Sequence, residues 1–373
     1  MVYCRRCVLP DTRPGLRIEP DGVCNACHQH ESKSGIDWVA RQNSFRALVN
    51  SVKTEGQGYD CVIPVSGGKD SHWQVIKCLE YGLKPLTVSW APPSRTKIGW
   101  ANLENLIGLG VDHLDYHISP EVERKFIYRA FKRFGSPAIP MHLAIHAIPA
   151  TVAVRFGIPL IVWGENSAFE YGSIDEELTG FKLDEAWRRV YGVTNGTVAQ
   201  DWVADDLSEK ELTPYFGPTD QELENAGVVG LFLGYYFKWD PEEVRRLAED
   251  HGFATSKAGP RTGYYDFADI DDDFISVHHY LKWHKFGFTR TFDNLSLEIR
   301  NGRLSRTEAI EIIRARGDEA PASDIESLCR FLGIGLDHFH EIAEIFRNHD
   351  LWTRGEDGVW MIEDFLVPYW RWQ

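Results

Sequence analysis

No run of eighteen apolar residues occurs in this 373-residue chain, so no membrane-inserted helix is expected. Positive charge is in short supply: 40 Lys and Arg face 55 Asp and Glu, for a formal net charge of -15. Proteins that grip tRNA or DNA usually display a basic face. Local patches such as Arg188-Arg189 and Lys125 to Arg133 remain, but the balance disfavours nucleic acid as a partner. No secretory segment, internal repeat or low-complexity stretch is seen, which points to a cytoplasmic location. The Gly-x4-Gly-Lys-Ser/Thr spacing of a P-loop is missing, and so is the Gly-x-Gly-x-x-Gly of a dinucleotide site. Cysteine is sparse, with seven in all, four of them clustered near the start.

Those four are Cys4, Cys7, Cys24 and Cys27, in the pattern C-x2-C, sixteen residues, C-x2-C. Each pair can place two thiolates on one metal, and two pairs complete a tetrahedral sulfur site. The segment between them is rich in Pro, Gly and charge and has almost no core of its own. A structural zinc would supply folding energy on the order of 10 kcal/mol or more. Two disulfides, four independent cysteines and an iron–sulfur cluster are the alternatives. Zinc is favoured because the rest of the chain looks cytosolic. All four positions are Cys, leaving none open for water, so the site is read as structural.

What the chain does contain is Ser66-Gly67-Gly68-Lys69-Asp70-Ser71. Tyr59 to Val65 before it is short and apolar, as in a buried parallel strand. His72 to Leu83 after it carries apolar residues at helical spacing. The hexamer is therefore a strand-to-helix turn. Gly67 and Gly68 allow close backbone approach. The unpaired N–H groups opening the helix carry partial positive charge and suit phosphate. Ser66 and Ser71 add hydroxyls, Lys69 a charge and Asp70 a magnesium contact. The hexamer resembles the signature of the PP-loop ATP pyrophosphatases, which bind the pyrophosphate of ATP in this turn and transfer AMP. A plain Gly-rich turn capped by serines is the bland alternative.

Strands are expected at Pro85–Trp90, Val111–Ile118 and Ile158–Trp163. Helices are expected at Trp100–Leu109, Glu121–Phe134 and His142–Phe156. Alternation of this kind means a doubly wound, parallel α/β sheet. Ligands then sit beyond the carboxyl ends of the strands, at the topological switch point. By resemblance, the first and fourth strands lie side by side, so Ser66 and the loop Gly164-Glu165-Asn166-Ser167 flank one crevice. The end of the second strand, Ser89 and Trp90, would hold adenine through backbone groups.

Glu170 to Gly227 is polar and reads as loops and short helices. Gly234 to Asp240 is dense in aromatics, including Tyr235 and Tyr236. Such clusters are core more often than site. Asp240-Pro241-Glu242-Glu243 starts a helix. Asp269 to Asp273 is an acidic run, read as a solvated helix entry rather than a metal site. His142 and His146 are read as packed or surface histidines. His279 to Arg290 mixes basic and aromatic side chains, with Lys285 and Arg290 suited to an anionic ligand or simply to a basic helix end. From Ser305 the tail opens with a Ser-x-x-Glu capping box and looks all-helical, a cap or a partner surface.

The cysteine knuckles, Val65 to Ser71, Gly-Glu-Asn-Ser with Glu170-Tyr171-Gly172, Gly234 to Asp240, and Lys285-Phe286-Gly287 recur in this order in the N-acetyl sugar amidotransferase family of bacterial surface polysaccharide (LPS O-antigen) biosynthesis, which the chain resembles up to about Arg290. The resemblance implies a zinc-binding segment over 1–35, an ATP pyrophosphatase domain with substrate-binding insertions over 36–300, and a helical extension over 301–373. It implies conversion of an acetamido group on a nucleotide-linked sugar, of UDP-sugar type, to an acetamidino group. ATP, Mg2+ and structural Zn2+ would serve it. Lys69 and Asp70 would be catalytic; Ser66 to Ser71, Ser89, Trp90, Gly164 and Glu165 would hold ATP; Asn166, Tyr235, Tyr236, Lys285 and Arg290 would meet the sugar. Glu165 is a candidate base by position.

The remaining cysteines, Cys61, Cys78 and Cys329, occupy no nucleophile turn. Ammonia is therefore expected from a separate glutaminase subunit, with a barrel-type channel subunit as a plausible companion. The alternatives are tRNA thiolation by another PP-loop enzyme and a zinc-stabilised nucleotide-binding subunit without chemistry. Thiolation usually needs a second Cys pair or an iron–sulfur site, which this chain lacks after residue 27.

Overall fold

A computed structural model describes residues 1–53 and 58–372. Five parallel strands form one sheet in the order β3-β2-β1-β4-β5. They are β1 (Cys61–Pro64), β2 (Pro85–Trp90), β3 (Asp112–Tyr116), β4 (Leu160–Trp163) and β5 (Val229–Phe232). Cys61 pairs with both Pro85 and Leu160, so the first and fourth strands are neighbours and the strand order reverses at β1. The switch point therefore opens just beyond Pro64.

The helices are α1 (Asn25–Ser32), α2 (Trp38–Val52), α3 (Lys69–Glu80), α4 (Lys97–Ile107), α5 (Pro120–Phe134), α6 (Ile139–Phe156), α7 (Ser167–Tyr171), α8 (Glu185–Tyr191), α9 (Asp220–Asn225), α10 (Leu233–Tyr236) and α11 (Pro241–Asp250). After them come α12 (Phe274–Phe286), α13 (Arg290–Arg300), α14 (Arg306–Arg316), α15 (Ala322–Leu332) and α16 (Leu336–Ile345). One face of the sheet buries Val62, Leu86 and Val88 against Phe126, Leu143, Ala144 and Ile148 of α5 and α6. The other buries Ile63, Leu160 and Val162 against Phe45, Trp73, Val75 and Leu103 of α2, α3 and α4. Strand residues buried on both faces explain why the strands read as continuous apolar runs.

One expectation needs correction, and two features add to the reading. β5 falls between the loop-like stretch that ends at Gly227 and the aromatic run from Gly234, where the sequence pattern placed no element. The tail is not all-helical, because β6 (Trp352–Arg354) and β7 (Trp360–Ile362) form an antiparallel pair. And α6, 18 residues long, is the one helix among the described residues that is long and apolar enough to cross a bilayer. It escapes a count of uninterrupted apolar residues because His142, His146 and Arg155 interrupt it. Here it lies against the sheet.

The four-cysteine segment packs on the far end of the chain. Its cysteines share one core with Phe288, Phe292, Leu295, Ala309 and Ile313 of α13, α14 and the turn before them. Arg306 of α14 donates to the carbonyl of Cys7 at 2.9 Å, and Arg300 of α13 to that of Glu170 at 2.9 Å. The zinc-type segment thus braces the helices that follow the sheet.

Candidate nucleotide site and metal centre

The turn after β1 has the shape that anion binding requires. Gly67 has φ +93°, a conformation that disfavours any side chain. A Cβ there would also stand 2.9 Å from the backbone nitrogen of Leu103. Ser66 N donates to Ser71 Oγ at 3.0 Å, which ties the turn to the first turn of α3. Gly68 is the N-cap of α3 and has no side chain to satisfy the free N–H groups. Those groups, with the helix dipole, face the crevice.

Lys69 is buried, although a turn position suggests exposure. Its ammonium pairs with Asp70 and lies over Trp239, 5.4 Å from the ring centroid. Asp70 Oδ1 accepts from Trp239 Nε1 at 2.9 Å. Glu165, at the end of β4, enters the same cavity. Burial, and next the charge of Asp70, push its carboxyl up to about 8. Two carboxylates facing one crevice repel each other, and a divalent cation would relieve that repulsion. Asp70 and Glu165 therefore fit Mg2+. Gly164 lies beside Asp70, its built Cβ 3.8 Å from Asp70 Cβ.

Two cavities meet at this turn. The first, of about 220 Å³, is mainly apolar and is lined by Val65, Val88, Trp90, Met141, Ile145 and Trp163. Its size and lining suit a purine base. The second, of about 210 Å³, is polar and holds Lys69, Asp70, Glu165, Asp269 and Arg290. Ser66 and Asp271 line both. Trp90 is held by Glu123, whose Oε1 accepts from Trp90 Nε1 at 2.7 Å. Ser89 points elsewhere: its hydroxyl bonds Asp115, which also takes both terminal nitrogens of Arg95 at 2.8 Å.

The acidic run is not a solvated helix entry. It docks on the loop after β2 and closes the crevice. Thr96 N donates to Asp271 O at 3.0 Å, and Thr96 Oγ1 to Ile270 O at 2.6 Å. Asp272 accepts from Ser94, and Asp269 pairs with Arg290 at 2.9 Å. Burial alone would raise Asp269, but Arg290 and His279 hold its carboxyl well below the usual range. Behind Arg290, Asp293 is shared by Arg13 at 2.8 Å and Lys282 at 3.1 Å. Arg290, the cation of this wall, is thus paired with Asp269 and backed by Asp293.

Residues 261–365 match the family described as LPS biosynthesis protein WbpG-like, C-terminal domain. No curated protein matches the chain. Among solved structures, the NMN synthetase of Francisella tularensis is similar over 83% of this chain and 96% of that chain, with 10% identity and a TM-score of 0.33. The stretch matched by the WbpG-like family contributes Tyr265, Phe267, Asp269, Asp271, Arg290 and Asn294 to the crevice. One wall of the crevice is therefore built from it.

Of the expected sugar contacts, only Arg290 reaches this crevice. Asn166 is buried and fully engaged: it donates to Leu178 O and Gly180 O, and accepts from Ala168 N and Trp187 Nε1. Tyr236 packs on Phe45, and Tyr235 lies under Arg41. Tyr236 is buried in the core around α2, and Tyr235 packs partly buried against it. Lys285 donates to Gly135 O at 3.0 Å at the end of α5, where a cation complements exposed carbonyls. Arg95, Tyr265 and Phe267 line the cavities without having been singled out, whereas Trp239 and Asp271 lie in the aromatic and acidic runs that read as core and as a helix entry. His142 and His146 are packed as expected, His142 on Ala138 O and His146 on Trp163.

The second centre is the cysteine cluster. All four sulfurs are buried and lie within 4.8 Å of one another. Cys4 Sγ is 3.9 Å from Cys27 Sγ, and Cys7 Sγ is 3.7 Å from Cys24 Sγ. A tetrahedron with zinc–sulfur bonds of about 2.3 Å has edges of about 3.8 Å. Backbone N–H groups of Arg6, Cys7 and Cys24 point at Cys4 Sγ at 3.3–3.4 Å, as they would toward a thiolate. The donor set fits zinc, held by Cys4, Cys7, Cys24 and Cys27.

Proposed function

We propose that this chain is an ATP-dependent, AMP- and pyrophosphate-forming amidotransferase of surface polysaccharide biosynthesis. It acts on the acetamido group of a UDP-sugar-type substrate. One observation carries the reading. The Ser66–Ser71 turn, with Lys69, Asp70 and Glu165, faces a wall supplied by the stretch that matches WbpG-like LPS biosynthesis proteins.

The chemistry follows from what an amide needs. Its oxygen is a poor leaving group. Attack of that oxygen on the α-phosphorus of ATP forms an oxygen–phosphorus bond and breaks the bond to pyrophosphate. Ammonia then adds to the activated carbon. AMP departs with the oxygen, a proton is lost, and an acetamidino group remains. The turn and Lys69 would stabilise departing pyrophosphate, and Asp70 with Glu165 would hold Mg2+. Apolar walls around the base and a paired wall at Arg290 would fix the reactants in line.

Ammonia is proposed to come from a separate glutaminase, with a barrel-type channel subunit as companion. Cys61 is buried against Cys78, and that contact and burial both raise its thiol pKa. Burial also raises that of Cys329. These are the opposite of an activated nucleophile.

The test combines the chain with ATP, magnesium, ammonium and a panel of UDP-N-acetyl sugars. Mass spectrometry should find one oxygen replaced by NH, with AMP and pyrophosphate in equal amounts. ADP and phosphate as the stoichiometric products would overturn the reading.

A further inference from the structure

The acidic run contains one carboxyl that no cation pairs with: among the described residues Asp271 has only the Ser66 hydroxyl as a side-chain hydrogen-bond partner. Asp269 is paired with Arg290. Asp272 accepts from Ser94 and from Phe274 N. Asp273 is paired with Arg261. Asp271 has no ion-pair partner among the described residues, and Arg95, the nearest cation of the apolar cavity, is committed to Asp115 through two bonds. The Asp271 backbone is nonetheless fixed. Its carbonyl caps the start of α4, and a Cβ on Gly99 would come within 2.7 Å of it. Such close packing leaves the residue little freedom to move away.

Its place is specific. Asp271 and Ser66 alone line both cavities, so they stand where the two join. If the base fills the apolar cavity and the phosphates fill the polar one, covalent connectivity puts the ribose at that junction. A carboxylate there would repel phosphate. It suits two vicinal hydroxyl donors, as acidic residues do at ribose in other nucleotide sites. We propose that Asp271 accepts hydrogen bonds from the ribose hydroxyls of ATP and makes the site select ribonucleotides over deoxyribonucleotides. The stretch matched by the WbpG-like family would then read the nucleotide as well as close the crevice. This inference rests on the ATP reading above.

The experiment is equilibrium binding by calorimetry with magnesium, without sugar or ammonium. The intact chain is titrated with ATP, 2′-deoxy-ATP and 3′-deoxy-ATP. Loss of a hydrogen bond to a charged acceptor should weaken binding of at least one deoxy analogue by about ten- to a hundredfold. In Asp271→Asn and Asp271→Ala, ATP should weaken to the level of that analogue and the discrimination should disappear. Equal binding of all three nucleotides by the wild type would overturn the proposal, without using any variant. So would discrimination that survives in both variants, or variants that weaken all three nucleotides equally. Absence of any ATP binding would instead overturn the nucleotide reading itself, and this inference with it.

Discussion

Glu123 sits 3% exposed beneath Trp90, in the first turn of α5. Burial pushes its carboxyl up to about 8 from 4.5, against the hydrogen bond from Trp90 and with a further push from Asp272. Between those values the folded protein keeps a proton that the unfolded chain has released. Stability therefore falls as pH rises through that window and is level on either side. At about 1.36 kcal/mol for each tenfold in proton affinity, the ceiling is ~5 kcal/mol. Relaxation and water penetration around a buried carboxylate lower that ceiling, so an effect of about 2 kcal/mol is expected.

Glu123→Gln keeps the acceptor for Trp90 Nε1 and carries no charge. It should be more stable than wild type above the window by about 2 kcal/mol, and no more stable below it. Urea denaturation on both sides of the window measures the difference. Glu165 and Asp272 also have raised carboxyl pKa values, Asp272 at about 6, so the comparison must be between variant and wild type at each pH. A variant that loses stability with pH as steeply as wild type would refute the reasoning.

The metal centre predicts one zinc per chain by elemental analysis. Cys24→Ser with Cys27→Ser should lose it and unfold at lower denaturant, and unchanged zinc would exclude this ligand set. Lys69→Ala and Asp70→Ala should each lower turnover at least roughly a hundredfold. Circular dichroism should show Asp70→Ala folded, whereas Lys69→Ala should also lose some stability because its stem is buried. Alone, the chain should use ammonium salts and not glutamine, with rates rising with pH as ammonia is freed. Glutamine-driven turnover by the lone chain, abolished in a Cys61→Ala/Cys78→Ala/Cys329→Ala variant, would show a glutaminase centre within it.

Elements whose signal is local were legible. The Ser305 capping box forms as the sequence pattern requires, and Asp240 caps α11 through the N–H groups of Glu242 and Glu243. β2 spans the same residues that its apolar run marks. β5 was not legible, because four residues with a glycine become a strand only by pairing with β4. Gly230 is small because Leu183 N donates to its carbonyl at 3.0 Å and leaves little room for a side chain.

The sequence by itself determined the two chemical centres. Paired Cys-x2-Cys knuckles and a Ser-Gly-Gly-Lys-Asp-Ser turn between strand and helix are local patterns, so spacing alone brings their donor atoms together. Only the tertiary structure decided what faces them. Asp269 to Asp273 lie about two hundred residues from the turn they cover. Nothing local distinguishes an acidic run in solvent from one pinned beneath Ser94 and Thr96. The same holds for Asn166, Tyr235, Tyr236 and Lys285. Their residue types suit a sugar, but packing against Trp187, Phe45, Arg41 and the end of α5 assigns them to the scaffold. Contacts between residues distant in sequence are fixed by burial of the whole chain, and no short stretch of sequence contains them.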